Sequence, residues 1–489
     1  MGVVLNQSIK NTLITYLGFG IGAINVLFLY TSFLSDEYFG LVSYLLSTAN
    51  IMMPLMAFGV HNTIVKFYSS FKTKQSQNSF LTLMLFLPLL IIIPFGLIGY
   101  FAFSFISTWL AGDNLIVVDY VWLIYFAAIT FAYFEVFYAW SKVQMQTVFG
   151  NFMKEVFHRL FTTVLLLVLY AGYLTVDEFI YSIVGVYALR MVIMKLYAFS
   201  LRFPKLKFER IPNLISILKY TSLIIIAGSV ANVILEIDKF MINRYEAIEN
   251  VAYYGVAIYI ATVIGVPYRS MYQIVNPLTA KLLNEKNKVD LKILYQKSSL
   301  TLFIISGFIF LIIILNINEL YKLINENYVD GLIVVFIIGL TKLLDSLLGN
   351  NNAILFNSDY YRMVLILGVF LAVLTVVLNM VFIPLYGING AAFATFIAIL
   401  IYNISKIVFV YYKFNMLPFS ANTVKVILLL LVSLGVFYFW DFPFHPIINI
   451  TFKSTLISIS YGSLVYGFNL SDDISVLLNR IFRIGKRGS

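Results

Sequence analysis

The feature that most constrains this chain is a succession of apolar runs, each about as long as a bilayer is thick. A membrane-spanning helix needs about 20 apolar residues, and about fourteen such runs follow one another with only short connections between them. Hydrophobic residues make up 61% of the chain and charged residues 11%, a composition that would leave large apolar patches on a water-soluble domain. The sequence therefore predicts an all-α, polytopic membrane protein without an extramembrane catalytic domain. The predicted spans are 12–34, 41–60, 80–103, 116–138, 159–175, 179–200, 214–237, 251–280, 298–317, 331–356, 363–383, 388–411, 423–440 and 447–469.

The distribution of basic residues predicts the orientation of these spans. If the N-terminus is cytoplasmic, 23 of the 33 Lys and Arg residues lie in inward-facing segments, and only Lys239, Arg244 and Lys322 lie in outward loops. This asymmetry is the positive-inside pattern of membrane proteins. We therefore expect both termini in the cytoplasm. The net charge of +10 follows from this topology and does not indicate a nucleic-acid partner.

Several classes of site are disfavoured by what the sequence contains. The chain has no cysteine, which excludes disulfides, thiolate metal ligands and a thiol nucleophile, and its three histidines are scattered. It also has no GxxxxGK[ST] loop of the kind that cradles ATP phosphates. We therefore expect a transporter rather than an enzyme, with no cofactor, and with coupling to Na⁺ or H⁺ left open.

An internal repeat is indicated by two spans that begin alike. The second span opens with Tyr38-Phe39-Gly40 and has Tyr44 one turn later, whereas the eighth opens with Tyr253-Tyr254-Gly255 and has Tyr259 at the same distance. Each follows an acidic turn and then reaches a proline, Pro54 or Pro267, and we expect Pro267 to interrupt its helix. Such repeats are typical of transporters whose site lies between two halves. The predicted domains are an N-terminal lobe at 1–205, a C-terminal lobe at 206–420, and two extra spans with a basic tail at 421–489.

Four sets of motifs recur along the chain in a characteristic order and spacing. They are Ser8-Ile9-Lys10-Asn11 with Glu37-Tyr38-Phe39-Gly40; Pro54 to Gly59 with Lys66-Phe67-Tyr68; Glu236 to Ile242 with Pro267 and Asn276-Pro277; and Pro384 to Thr395. Together they resemble the polysaccharide-biosynthesis branch of the multidrug/oligosaccharidyl-lipid/polysaccharide exporter superfamily. The resemblance covers the whole chain and includes the number of spans. It implies two pseudo-symmetric lobes around a central cavity, alternating access, and an undecaprenyl-pyrophosphate-linked glycan as cargo.

Two arginines inside predicted spans are candidate cavity cations. Arg269 lies in the eighth span, two residues after Pro267, and guanidinium matches the oxygens of a pyrophosphate through forked hydrogen bonds. A charge inside a span is costly, so its default interpretation is functional. The alternatives are pairing with an acid or snorkelling to the inner surface. Arg190 in the sixth span either lines a cavity or pairs with Glu135 near the inner end of the fourth.

Other charged residues within the spans have simpler explanations. Lys342 and Asp345 are three residues apart on one helix face, a spacing at which they can neutralise each other; the alternative is that Lys342 is a cavity cation in direct contact with the cargo. Four further lysines lie within about two turns of a membrane surface, where snorkelling explains them. Among those four, Lys219 is kept as a candidate cavity contact. The four are Lys195, Lys219, Lys406 and Lys453.

Polar residues in the spans of the repeat are further candidates. Asn25 and Asn50 either contact sugar hydroxyls or form interhelical hydrogen bonds. His61 and Lys66 at the inner end of the second span either meet an entering phosphate or occupy an ordinary interfacial position.

A charged cluster marks the outer end of the seventh span. Glu236, Asp238 and Lys239 form either an outer gate or ion-coupling site, or a salt bridge between lobes. Asp345 and Glu135 join them as candidate coupling residues.

The function predicted from these residues and the resemblance is that of a flippase. It would carry a lipid-linked oligosaccharide from the cytoplasmic to the outer leaflet of a bacterial cytoplasmic membrane for surface polysaccharide or O-antigen synthesis. Its partners would be the lipid-linked glycan, bilayer lipids, a polysaccharide polymerase and glycosyltransferases. The alternatives are a cation-coupled multidrug exporter, a peptidoglycan-precursor flippase and, least favoured because the outward loops are short, a membrane glycosyltransferase or polymerase.

Overall fold

The computed structural model describes residues 2–205, 211, 213–440 and 442–476. Helices account for the regular structure throughout these ranges, and a helical segment lies on every predicted span. Nine of the helices described are long and apolar enough to cross a membrane. One of the nine, Tyr361–Phe414, has 54 residues but breaks at Gly387 (φ 57°, ψ −137°), a conformation open only to glycine, and thus supplies two predicted spans. The predicted all-α polytopic membrane fold is confirmed. The basic tail predicted after residue 476 lies outside the described residues.

The chain divides into two compact units. The first comprises Met1–Gly255 with Ile383–Gly387. One hydrophobic core of this unit includes Trp140, Phe134 and Phe80, all fully buried. The helices of this unit are α1 Gly2–Ile24, α2 Tyr30–Phe33, α3 Asp36–Met56, α4 Val60–Phe67, α5 Lys74–Phe86, α6 Leu89–Phe101, α7 Phe103–Ala111, α8 Val121–Val143, α9 Val148–Phe152, α10 His158–Tyr170, α11 Val176–Leu201 and α12 Leu214–Tyr245.

The second unit comprises Val256–Phe382 with Ile388–Ser489. Its core is built around Phe310, Leu311 and Ile457. The division predicted at residue 205 rests on the repeat and stays a prediction. The remaining helices are α13 Glu249–Thr262, which runs from the first unit into the second, α14 Val266–Asn284, α15 Lys288–Ile324, α16 Leu332–Ser346, α17 Asn351–Phe356, α18 Tyr361–Phe414, α19 Ala421–Tyr438 and α20 Pro446–Gly467.

Helix ends follow local sequence signals. Ser35 caps α3, and Asp36 and Glu37 in its first turn favour the positive end of the helix dipole. Thr175 and Glu178 form a reciprocal capping box at the start of α11. These caps fix where the second and sixth spans begin, and therefore which residues face the interior.

The second and eighth spans, which begin alike, are both broken helices. The second span stops at Met56 and resumes at Val60 after Gly59 (φ 65°), and the eighth breaks at the single 3₁₀ turn Val263–Gly265, directly before Pro267. Proline fits the first turn of the new helix because its missing N–H would have no partner there. The interruption predicted at Pro267 is therefore present.

The equivalent starts of these two spans pack against each other within the first unit. A Cβ placed on Gly40 would lie 2.0 Å from the Ile248 carbonyl oxygen, so the α3 backbone approaches the turn before α13 as closely as glycine allows. The Tyr253 hydroxyl donates to Asp36 Oδ2 at 3.0 Å. The start of the second span thus packs against the start of the eighth and the turn before it, and the duplication stays a prediction.

Two π-helical turns occur in the first unit. They cover Asn25–Leu29 in the first span and Met153–Phe157, directly before the fifth span. Asn25 Nδ2 donates to the carbonyl of Arg159, two residues after the second turn, at 2.8 Å. Such π turns occur frequently at functional sites, and the second one carries Lys154 and Glu155, which line a polar cavity in the first unit.

Candidate functional site

The first unit encloses a polar cavity of about 320 Å³. Its walls come from α3, α8, α10, α11, α12 and the π turn at Met153–Phe157. A volume of this size suits a small ligand or a single sugar-sized group. The lining residues are Asn50, Met53, Phe131, Glu135, Lys154, Glu155, His158, Arg159, Tyr187, Arg190 and Glu236.

Each carboxylate that lines this cavity has a cationic partner. Lys154 Nζ lies 2.6 Å from Glu135 Oε1, and the Glu135 side chain is only 13% exposed. Arg159 Nη1 lies 3.2 Å from Glu155 Oε2. The third carboxylate, Glu236, lies 3.2 Å from Lys239 Nζ through its Oε2. The acidic groups of the cavity are thus neutralised by the protein itself.

Arg190 differs from the other cations of the cavity. Its side chain is 7% exposed, and its Nε is buried without a hydrogen-bond partner. Its guanidinium carbon lies 4.1 Å from the ring centroid of Phe134 and 4.8 Å from that of Tyr187, so aromatic faces supply its main contacts. The predicted pairing of Arg190 with Glu135 is wrong, because Lys154 on the π turn takes that carboxylate instead.

The two candidate amides in the first unit have different surroundings. Asn25 is 3% exposed. Its Nδ2 donates to the Arg159 carbonyl, and its Oδ1 accepts from Thr163 Oγ1 at 2.7 Å. These contacts support the interhelical interpretation of Asn25. Asn50 is half-buried and lines the cavity, so it retains the position expected of a cargo contact.

The outer cluster of α12 is held within the first unit. Glu236 Oε2 accepts from Ser47 Oγ at 2.8 Å and lies 3.2 Å from Lys239 Nζ. Asp238 is 6% exposed and accepts a short hydrogen bond from the Tyr254 hydroxyl. This arrangement holds the C-terminal part of α12 against α3 and α13. The proposed gating or coupling role of these residues stays a prediction.

His61, Lys66 and Lys219 are further candidates in the first unit, and each has different surroundings. His61 is half-buried, and its Nε2 lies 3.0 Å from Asn62 Nδ2. Lys66 is exposed and places its Nζ 3.7 Å from the Tyr220 ring centroid. Lys219 is exposed and forms no ion pair with any described residue. Lys219 and Lys66 therefore present positive charge on the surface of the first unit.

Arg269 lies on an exposed polar stripe of α14 in the second unit. It is exposed and makes no hydrogen bond or ion pair with any residue that the structure describes. Gln273, Pro277 and Lys281 follow at intervals of four residues and are exposed on the same face. Ile274, on the adjoining face, is 66% exposed. One side of this span is therefore polar and carries an unpartnered cation.

A buried polar cluster in the second unit replaces a predicted ion pair. Lys342 and Asp345 do not pair; Asp345 Oδ1 instead accepts from Asn403 Nδ2 at 2.5 Å. The stem of Lys342 lies beside Gly265, where an added Cβ would be 3.7 Å from Lys342 Cδ. The carboxylate of Asp345, which the local spacing predicted to pair with Lys342, is thus hydrogen-bonded by the Asn403 amide from a helix further along the chain, 388–414.

Snorkelling is wrong for two of the four lysines to which it was assigned. Lys406 and Lys453 are each 3% exposed. Lys406 Nζ donates to Asn352 Oδ1 at 3.2 Å and lies 4.1 Å from the Tyr402 ring centroid, so its charge is directed into the protein. Lys195 and Lys219 are exposed, as snorkelling requires.

Asn352 and Asn403 also belong to this cluster, although neither is among the candidates predicted from the sequence. Asn352 also donates to the Tyr268 hydroxyl at 3.2 Å, one residue from Arg269. A signal for it was present, because Asn350-Asn351-Asn352 is a run of three amides inside an apolar span. Asn403 carries no comparable signal.

Comparisons with known proteins agree with this architecture. Residues 4–283 match the family model described as polysaccharide biosynthesis protein. No curated protein sequence matches the chain.

Solved structures share the fold at low sequence identity. The structure titled lipid II flippase MurJ, inward closed conformation, is 14% identical, with a TM-score of 0.74 over 94% of this chain and 100% of that one. An inward-facing multidrug resistance MATE family transporter of the MOP superfamily is 15% identical, with a TM-score of 0.61 over 83% and 94%. The outward-facing form of such a transporter gives 15% identity and a TM-score of 0.54 over 84% and 95%. At such identities the likeness concerns the fold, whereas the family match spans more than half of the sequence, and the chain therefore belongs to the polysaccharide biosynthesis protein family.

Proposed function

We propose that this protein is a flippase for an anionic lipid-linked oligosaccharide. The cargo is an undecaprenyl-pyrophosphate-linked glycan, moved by alternating access from the cytoplasmic to the outer leaflet of a bacterial cytoplasmic membrane. The protein supplies surface polysaccharide or O-antigen synthesis and works beside glycosyltransferases and a polysaccharide polymerase. Both termini are cytoplasmic, in keeping with the distribution of basic residues.

The observation that carries this proposal is the unpartnered Arg269 on the polar stripe of α14. An arginine at the centre of a bilayer costs about 2.5–3.5 kcal/mol on insertion scales, and this one is not neutralised by any described residue. Water or an anionic ligand beside the stripe removes that cost. A guanidinium binds phosphate oxygens with two parallel hydrogen bonds. Arg269 thus holds the pyrophosphate of the cargo while the lipid tail stays in the membrane.

The membrane potential supplies the driving force in this scheme. Outward movement of negative charge across an inside-negative membrane is favourable by about 2.3 kcal/mol per charge per 100 mV. A pyrophosphate carries roughly two charges at neutral pH. Counter-transport of Na⁺ or H⁺ through Asp238, Glu236 or Asp345 would add to this force.

The pairing of the cavity carboxylates favours an anionic over a cationic cargo. A cation-coupled drug exporter needs acidic groups free to meet a cationic drug. Glu135, Glu155 and Glu236 each have a Lys or Arg partner within 4 Å. A cationic drug would have to break one of these pairs before it gained a contact.

Genetic complementation tests the proposal. In a strain that lacks its own flippase, we expect wild-type protein to restore surface glycan and Arg269→Ala to fail at equal membrane abundance. Lys281→Ala is the matched control, because Lys281 is exposed on the same stripe and has only a loose partner, Glu285, at 3.8 Å. Normal surface glycan with Arg269→Ala would contradict the proposed role. Resistance to cationic dyes without glycan rescue would instead identify a drug exporter.

A further inference from the structure

We propose that the cavity of the first unit is an oxyanion-binding site in which Arg190 is the principal ligand-binding residue. The site accepts one phosphate or carboxylate group. It is built entirely from residues of the first unit, whereas Arg269 belongs to the second. The inference therefore stands on its own and does not depend on the cargo proposed above.

Charge pairing in the cavity leaves one cation without a carboxylate in direct contact, although Glu135 and Glu155 lie close enough to interact with it electrostatically. Its lining contains three carboxylates and three cationic side chains. Glu135 pairs with Lys154 and Glu155 with Arg159, while Glu236 pairs with a lysine outside the cavity, Lys239. Arg190 has no carboxylate within 4 Å among the described residues.

The surroundings of Arg190 leave it in need of an acceptor. The residue is 93% buried, and the rings of Phe134, Tyr187 and Phe131 approach its guanidinium carbon to 4.1, 4.8 and 5.6 Å. Aromatic faces attract a cation but accept no strong hydrogen bond. A buried charge without hydrogen bonds is strongly disfavoured, so the geometry calls for an acceptor in the adjoining cavity.

A second unsatisfied polar atom lies in the wall of the same cavity. His158 stacks on Tyr187 with ring centroids 5.3 Å apart, and its Nδ1 is buried without a partner. In the tautomer that protonates Nδ1, this atom is a donor. Arg190 and His158 thus line the same polar space of about 320 Å³, and each has a buried nitrogen without a hydrogen-bond partner.

The shape and charge of these groups favour an oxyanion. Guanidinium presents its N–H groups as a planar fork that matches two oxygens of a phosphate or carboxylate. A metal or organic cation would meet carboxylates that are already paired, and would lie beside the Arg190 guanidinium. The oxyanion has two sources: a soluble ion, including the acid group of a sugar, or the phosphate of a lipid headgroup.

Thermal stabilisation of the purified, detergent-solubilised full-length protein tests the site. Inorganic phosphate and sodium glucuronate are titrated at constant ionic strength against wild type, Arg190→Gln and Lys195→Gln. We expect saturable stabilisation of wild type and a loss of apparent affinity of about tenfold to hundredfold in Arg190→Gln, as removal of charge-assisted hydrogen bonds implies. Lys195→Gln is the matched control, since Lys195 is exposed on the same helix, and it should behave as wild type. Equal stabilisation of Arg190→Gln and wild type would overturn the proposal.

Two further measurements cover the lipid source and an unstable variant. The stability of wild type and Arg190→Gln is compared in nanodiscs of phosphatidic acid and of phosphatidylcholine, without soluble oxyanions. If wild type is more stable in phosphatidic acid and Arg190→Gln shows no such difference, the site binds a lipid phosphate. Crystals of wild type grown with selenate should show an anomalous peak beside the Arg190 guanidinium, whether or not any variant folds. No response to phosphate, glucuronate or phosphatidic acid, together with no selenate peak, would overturn the proposal. Loss of glycan export in Arg269→Ala with oxyanion stabilisation intact would show that the two sites are separate.

Discussion

Gly40 and Gly255 occupy equivalent positions in the proposed repeat, yet alanine should have opposite effects at the two sites. A Cβ on Gly40 would lie 2.0 Å from the Ile248 carbonyl oxygen, about 1.4 Å short of an ordinary 3.4 Å contact. That oxygen belongs to the backbone and cannot rotate away. At Gly255 the nearest atom, Ser43 Oγ, would be 3.9 Å from the added Cβ, so the methyl group fits.

The expected magnitudes follow from two opposing terms. Alanine in place of glycine inside a helix stabilises by about 0.8–1.0 kcal/mol. Overpacking costs about 1–3 kcal/mol, and a fixed backbone atom places Gly40 at the upper end of that range. We therefore expect Gly40→Ala to lower the free energy of unfolding by about 2 kcal/mol. Gly255→Ala should raise it by about 0.5–1 kcal/mol.

The assay is the apparent melting temperature of the detergent-solubilised protein, read as the monodisperse fraction that survives heating. Gly40→Ala should melt below wild type and Gly255→Ala at or slightly above it. If both variants melted at the temperature of wild type, the close approach of α3 to the turn before α13 would be refuted. Equal destabilisation of both would show that the effect comes from the helix backbone and not from the contact with Ile248.

Three other substitutions test separate contacts by the same melting assay. Lys154→Met should lower stability by about 1–3 kcal/mol because it leaves the carboxylate of Glu135 buried and unpaired, and adding Glu135→Gln should restore most of the loss; no rescue would argue against the pair. Tyr254→Phe should cost about 1.5–3 kcal/mol by removing the donor to Asp238, and an unchanged melting temperature would contradict that hydrogen bond. Gly387→Ala should cost about 1–3 kcal/mol because its φ of 57° and ψ of −137° exclude side chains, and a neutral effect would mean that 383–388 is an ordinary helix.

The spans and their interruptions could be predicted because their causes are local in sequence. Apolar length determines whether a helix can cross a bilayer, and a proline constrains only its immediate neighbours. The break before Pro267 was therefore foreseen. The similarity between the starts of the second and eighth spans also required nothing beyond the sequence, and the duplication inferred from it stays a prediction.

The partners of buried charges could not be predicted in the same way. Glu135 pairs with Lys154, and Asp345 bonds to Asn403, which lies 58 residues further along the chain. Such choices depend on which helices pack side by side and on the rotation of each about its axis. The π turn at Met153–Phe157, which helps to place Lys154, leaves no mark in the hydropathy pattern. Sequence spacing therefore identified charged residues of the site without identifying their contacts.

Transport in proteoliposomes tests the central claim most directly. The purified protein is reconstituted with a fluorescent undecaprenyl-pyrophosphate oligosaccharide, and movement between leaflets is followed with a membrane-impermeant quencher under a potential set by K⁺ and valinomycin. We predict that wild-type protein moves the lipid, that the rate rises when the potential favours movement of negative charge, and that Arg269→Ala abolishes movement while Lys281→Ala retains it. Equal rates for wild type and Arg269→Ala, or no movement of this lipid by wild-type protein, would contradict the account.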